Sequence, residues 1–189
     1  CKDARYRRIT RYRYNNVPID DGGKYFYIND GENIWSPGWK PCKTELDKYI
    51  CRHGLNYTVI TGAKNGLEVE ILYMVPLHTW AEVQKVTLKN TTNQIKRFKV
   101  FSFVEWCLWN AQSDMENFQR NLSLGEVEVE NSILFHKTEY RERRNHYSYY
   151  SVNVPINGFE TDRESFLGMY NGFDQPQAVT QGRACNSIA

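Results

Sequence analysis

At 189 residues, with 24 Lys plus Arg against 22 Asp plus Glu, the chain carries a net charge of only +2. That balance argues against a dedicated nucleic-acid binder, which concentrates basic charge on one face, and no apolar run approaches the roughly 18 residues of a membrane span. The length suits one domain with a real core, and an aromatic share of 14%, led by 13 Tyr and 5 Trp, suits β-structure and stacking against sugar rings.

Arg11-Tyr12-Arg13-Tyr14-Asn15-Asn16 comes first, behind Arg7 and Arg8. Arginines interleaved with tyrosines can stack on single-stranded nucleic acid, and a strand with one aromatic and one polar face explains them as well. Without a wider basic excess the nucleic-acid reading ranks last. Lys24-Tyr25-Phe26-Tyr27-Ile28 predicts a strand, Asn29-Asp30-Gly31 its hairpin turn, and Ile34 with Trp35 the return. Trp35-Ser36-Pro37-Gly38-Trp39-Lys40-Pro41 then brackets a Pro-Gly turn with two tryptophans, either a sugar platform or a packing surface. Tyr57 to Thr61 predicts a strand, Lys64-Asn65-Gly66 its turn, and Leu67 to Val75 a return that is wholly apolar by Ile71. Val86 and Leu88 share one face of the next strand, with Lys85, Thr87 and Lys89 on the other. Asn90 to Gln94 turns the chain into a long apolar return, Phe98 to Trp106.

There the regular pattern breaks. Trp109 to Asn121 offers Gln112, Asp114, Glu116, Asn117, Gln119, Arg120 and Asn121, with no Gly or Pro. Loops of about 12 residues without regular structure are uncommon in compact domains and often functional. Amide and guanidinium groups suit sugar hydroxyls because they donate and accept in fixed planes; a solvated connection is the plain alternative. Ala111, Met115 and Phe118 can anchor a single helical turn inside this segment, and no longer helical period is present.

Glu126 to Glu130 alternates again, and Asn131-Ser132 turns it back through Ile133, Leu134 and Phe135. In Tyr140-Arg141-Glu142-Arg143-Arg144-Asn145-His146, an extended backbone sets Arg141, Arg143 and Asn145 on one face. Their forks could hold a phosphate or carboxylate, but interleaved Glu139 and Glu142 favour internal ion pairs. Tyr147 to Val154 and Phe166 to Tyr170 complete the expected strands. The fold class predicted is all-β, a large antiparallel β-sandwich, with no linker or internal repeat.

Cys1, Cys42, Cys51, Cys107 and Cys185 form no C-x-x-C pair, and His53, His78, His136 and His146 lack metal-ligand spacing, so no zinc site is expected. Reduced thiols in a cytosolic protein are the plain reading. Sequons at Asn56, Asn90 and Asn121 matter only in a secreted protein. Both ends look cut, which leaves a signal peptide open. Acids are present, but none sits in a recognisable catalytic context. From its residues the chain is a β-domain that can touch sugars and lacks an engine.

The series "RRITRYRYNNVPIDDGGKYFYIND", "WSPGWKP", "CRHGLNYT", "EWCLWNA", "NFQRN", "HKTEYRERRNHY" and "YNGFDQPQAV" runs in order through essentially the whole chain. It resembles the cellobiose phosphorylases of glycoside hydrolase family 94, formerly glycosyltransferase family 36. The resemblance implies a galactose-mutarotase-like super-sandwich, residues 1–189 being part of the N-terminal β-sandwich domain, with the catalytic α/α-barrel absent. It implies reversible, inverting phosphorolysis of cellobiose to α-glucose 1-phosphate and glucose. Inorganic phosphate serves as co-substrate, and no further cofactor, metal, nucleic acid or membrane is involved. The catalytic Asp and the phosphate-binding residues belong to the barrel. By motif position, Gln119 and Arg120 of "NFQRN" correspond to a loop that contacts the acceptor glucose in the partner subunit of a cytoplasmic homodimer. A free-standing, non-catalytic carbohydrate-binding sandwich and a related cellodextrin or chitobiose phosphorylase are the alternatives.

Overall fold

The structure, a computed structural model, describes residues 23–106, 125–138, 146–186 and 188. These fall into two compact units. One comprises Tyr25–Ser102 with Phe173–Gln175, and the other the described parts of Phe103–Gly172 and Pro176–Ala189.

In the first unit the predicted hairpins form where turn chemistry allows them. β1 (Lys24–Asn29) and β2 (Ile34–Trp35) pair antiparallel, with Ile28 opposite Trp35. Between them Asp30 Oδ1 accepts the amides of Glu32 at 3.0 Å and Asn33 at 2.7 Å, an Asx-type turn. β3 (Lys48–His53), β4 (Tyr57–Lys64), β5 (Leu67–Met74) and β6 (Val83–Asn90) form a four-stranded antiparallel sheet in chain order. Asn65 and Gly66 join β4 to β5 with φ of 51° and 76°, the two positive angles that a tight two-residue hairpin demands.

Alternation then decides the faces. Val69 lies opposite Gly62 and Leu88, and Ile71 opposite Ile60 and Val86. Leu67, Val69 and Ile71 therefore share one face, buried against Ile28 and Trp35, while Glu68 and Glu70 take the other. Burying these five side chains stabilises the unit by about 1.5–3 kcal/mol each. Tyr27 is fully buried as well, and its hydroxyl donates to the Phe173 carbonyl at 3.0 Å.

Two expectations change in this unit. β3 was not foreseen: its sequence KYICRH is largely exposed and polar, and it becomes a strand by pairing with β4 along its whole length. β7 (Lys99–Val104) is a strand as expected, but it lies beside β1, in the order β2–β1–β7, and not beside β6. Asn90 does make the expected turn, accepting from the Thr92 amide and donating to the Gln94 carbonyl. A turn sets the local direction of the chain; it does not choose the partner strand several residues later.

In the second unit β8 (Gly125–Glu130), β9 (Ile133–Thr138) and β10 (His146–Ser151) make an antiparallel meander, turned at Asn131 with φ of 54°. The strand expected over Phe166 to Tyr170 is instead a helix, α1 (Arg163–Leu167), followed by α2 (Gln177–Gln181). Asp162 explains the difference. Its carboxylate accepts the Ser165 amide at 2.8 Å and hydroxyl at 2.7 Å, an N-cap that nucleates the turn. Gly168, at φ 88°, ends it. Among the described residues the architecture is all-β apart from these short helices, and none of their helices is long and apolar enough to cross a membrane.

Candidate functional site

Gln119 and Arg120, with the whole of Trp109 to Asn121, lie outside the described residues. So do the Arg7 to Asn16 stretch and Arg141, Arg143 and Arg144. What the structure does describe is how the polar segment is entered. Phe103, near the end of β7, stacks on Phe166 of α1 with ring centroids 4.9 Å apart and planes 22° from parallel. Two residues later Glu105 pairs with the Arg163 guanidinium at 3.0 Å, its side chain only 12% exposed. Phe103 and Glu105 are two apart on an extended backbone, so both face the same way, onto one face of α1. The helix is held in turn by its cap: hydrogen bonds from the Ser165 hydroxyl and amide keep the Asp162 carboxyl below the usual carboxylate range. The chain resumes at β8, whose residues pair along β9 from Gly125–Thr138 to Glu130–Ile133.

The tryptophan motif is the sequence-predicted candidate that the structure places in full, and it separates the two rings. Trp35 is fully buried in the core, and Ser36 and Pro37 are buried beside it. Trp39 is 44% exposed, at φ 67°. Its amide donates to the Ser36 carbonyl at 2.9 Å, and its carbonyl accepts from Lys43 at 2.8 Å. Pro37 closes over Gly62 of β4: a Cβ at Gly62 would come within 2.7 Å of the Pro37 carbonyl oxygen. A paired platform is therefore unavailable. Trp35 is a packing residue, and only Trp39 offers a ring face to solvent.

A polar groove that sequence reasoning missed lies in the same unit. Asp30, Lys64, Asn65, Lys96, Arg97 and Phe98 are among its walls, around roughly 480 Å³. Asn65 is oriented from two sides, its amide N–H donating to Asp47 at 2.8 Å and its side-chain Nδ2 to Asp30 at 3.1 Å. Amide, ammonium and guanidinium groups in such a groove can hydrogen-bond hydroxyls. No run of sequence announces it, because its members come from three separate turns. Among the described residues no group of three or more His, Cys, Asp or Glu could hold a metal ion.

The family model described as "Glycosyl hydrolase 94, supersandwich domain" matches residues 1–189. A solabiose phosphorylase from Paenibacillus borealis is 34% identical over 172 residues, covering 89% of this chain and 22% of its own length. An N,N'-diacetylchitobiose phosphorylase from Vibrio proteolyticus is 32% identical over 187 residues, 96% of this chain and 23% of its own. The cyclic beta-(1,2)-glucan synthase NdvB of Rhizobium meliloti is 26% identical over 184 residues, 96% of this chain and 6% of its own. The chain thus spans less than a quarter of the length of these relatives.

Proposed function

Because the chain belongs to the glycoside hydrolase family 94 supersandwich family, we propose that it is the N-terminal, non-catalytic sandwich of an inverting glycoside phosphorylase. The observation that carries this reading is the family match across all 189 residues, and the two phosphorylases at 34% and 32% identity support it. Phosphate attacks the anomeric carbon of a β-linked disaccharide, the glycosidic C–O bond breaks, and one carboxylic acid protonates the leaving oxygen. Phosphate takes the place of the water of an inverting hydrolase, so a single protein acid suffices. That acid and the phosphate-binding groups belong to the barrel domain, and this chain alone has no turnover.

The substrate proposed is cellobiose, released as α-glucose 1-phosphate and glucose in the cytoplasm. Gln119 and Arg120 donate hydrogen bonds to the hydroxyls of the acceptor glucose, reaching it in the partner subunit of a homodimer. The Phe103–Phe166 and Glu105–Arg163 contacts support the role, since a loop that positions a sugar needs a fixed stem.

The test is a phosphorolysis panel on the full-length enzyme with cellobiose, N,N'-diacetylchitobiose and solabiose, each with inorganic phosphate. Sugar 1-phosphate from cellobiose is expected. Product from another disaccharide and none from cellobiose overturns the substrate and keeps the reaction; no sugar 1-phosphate from any overturns both. A second reading, a carbohydrate-binding sandwich with no catalytic partner domain, is favoured by the polar groove beside Phe98. It requires calorimetric binding of cello-oligosaccharides by this chain.

A further inference from the structure

Among the described residues β3 is an edge strand, and three side chains with reactive chemistry share one of its faces. Tyr49, Cys51 and His53 stand two residues apart on an extended backbone, so they line up on one face, and all three are exposed. Cys51 Sγ lies 3.3 Å from His53 Nε2. His53 Nδ1 lies 3.0 Å from the Oγ1 of Thr58, the β4 residue directly opposite it in the ladder. In the tautomer with its proton on Nδ1, His53 donates to Thr58 Oγ1 and presents the Nε2 lone pair to the Cys51 thiol. A nucleophile, a base and a group that orients the base thus stand in a row. Thr58 is also a wall of an open groove of roughly 380 Å³, with Gly54, Leu55, Tyr57 and Tyr73.

We propose that Cys51 is a base-assisted reactive thiol that forms mixed disulfides with small disulfides, with His53 as its proton acceptor and Thr58 as the positioning residue. The Cys51 sulfur attacks one sulfur of the disulfide while His53 Nε2 takes the thiol proton. The new bond joins Cys51 to that sulfur, the old S–S bond breaks, and the departing thiolate recovers the proton from the imidazolium. No net oxidation occurs beyond exchange of one disulfide for another.

The neighbouring groups agree with this assignment. Burial, followed by the charge and hydrogen bond of the Cys51 sulfur, raises the Tyr49 phenol, so Tyr49 stays a neutral donor beside that sulfur at ordinary pH. From β4 the residues alongside are Gly62, Ile60 and Thr58, and from β5 beyond them Val69, Ile71 and Tyr73; none is an acid or a base near neutrality. Arg52 points to the other face. The chain also holds its own controls. Burial, reinforced by the charge of Asp174, pushes the Cys42 thiol up to about 12, which leaves it inert. Cys185 is exposed, and its hydrogen-bonded neighbour is the carboxylate of Glu160, which takes its amide.

The test is modification of the full-length protein by oxidised glutathione, followed for each cysteine by peptide mass spectrometry between pH 6 and 8. Cys51 is expected to react about threefold faster than Cys185 at pH 7 and about tenfold faster at pH 6, because base assistance matters most where free thiolate is scarce. His53→Ala, an exposed change that spares the core, should bring the Cys51 rate down to that of Cys185 and leave Cys185 unaltered. Thr58→Val should lower the Cys51 rate partway. A Cys51 rate no greater than that of Cys185, or one unchanged by His53→Ala, overturns the proposal. A rate ratio that does not grow as the pH falls overturns the role given to His53.

Discussion

Removing the Phe166 ring tests whether α1 is the anchor of the polar segment. The side chain is 7% exposed and stacks on Phe103 at 4.9 Å, so Phe166→Ala deletes most of what holds helix to strand. Such a truncation costs about 3–5 kcal/mol, and the lower end applies because a helix of five residues can partly collapse into the space. A loss of about 3 kcal/mol raises the population of the opened helix roughly a hundredfold, at 1.4 kcal/mol per factor of ten. The reporters are in place: the amide of Phe166 donates to Asp162 at 3.1 Å and that of Gly168 to Glu164 at 2.7 Å. Hydrogen exchange at these two amides should accelerate by about two orders of magnitude, while β4 and β5 keep their protection. In the synthetic direction the same variant should raise the KM for acceptor glucose. No acceleration at α1, or an equal acceleration in β5, refutes the energetics. An opened helix with an unchanged acceptor KM refutes the claim that the stem positions Gln119 and Arg120.

Arg120→Ala in the full-length enzyme should raise the acceptor requirement by about 1.5–3 kcal/mol, the worth of a hydrogen bond to a charged donor, with KM for glucose as the measurement. Asp162→Ala removes the cap of α1 and should cost about 1 kcal/mol in urea unfolding at pH 7. Because hydrogen bonds from Ser165 hold the folded carboxyl below its unfolded value, that contribution is present above about pH 4 and fades as the pH falls through the folded pKa. The difference between wild type and variant should therefore shrink as melts are taken to lower pH, starting below about pH 4. Trp35→Ala should destabilise the first unit by about 3–5 kcal/mol, since the ring is fully buried, whereas Trp39→Ala should change stability by less than about 1 kcal/mol. Gly66→Ala places a side chain at φ 76° and should cost about 1–2 kcal/mol by the same unfolding assay.

What could be read along the chain and what could not follow from how far each interaction reaches. The β4–β5 hairpin was legible because both its determinants are local: Asn65-Gly66 tolerates positive φ, and Leu67, Val69 and Ile71 alternate. α1 was hidden because Phe166 and Leu167 suit a buried strand as well as a helix, and the deciding residue, Asp162, lies before the apolar run and acts through Ser165. β7 was visible as a strand but not as a neighbour of β1, since nothing in residues 91–106 encodes its pairing partner. Trp35 and Trp39 read alike in one motif; they part because Trp35 sits opposite Ile28 in a hairpin whose inner face meets β5, a contact some thirty positions away.

The Cys51–His53 row shows the same limit from the other side. A search for histidines at metal-ligand spacing passes over C-x-H, because two residues apart is no helical contact. On a strand that spacing is one face, and the cross-strand partner Thr58 then completes the row across a turn of only three residues, 54–56. The information was in the sequence once β3 was known to be a strand. Its polar composition concealed that, and pairing with β4 supplied it. A site built on an edge strand inherits this property: its residues need not be apolar to fold, so they are free to be reactive, and a reader of periodicity alone passes over them.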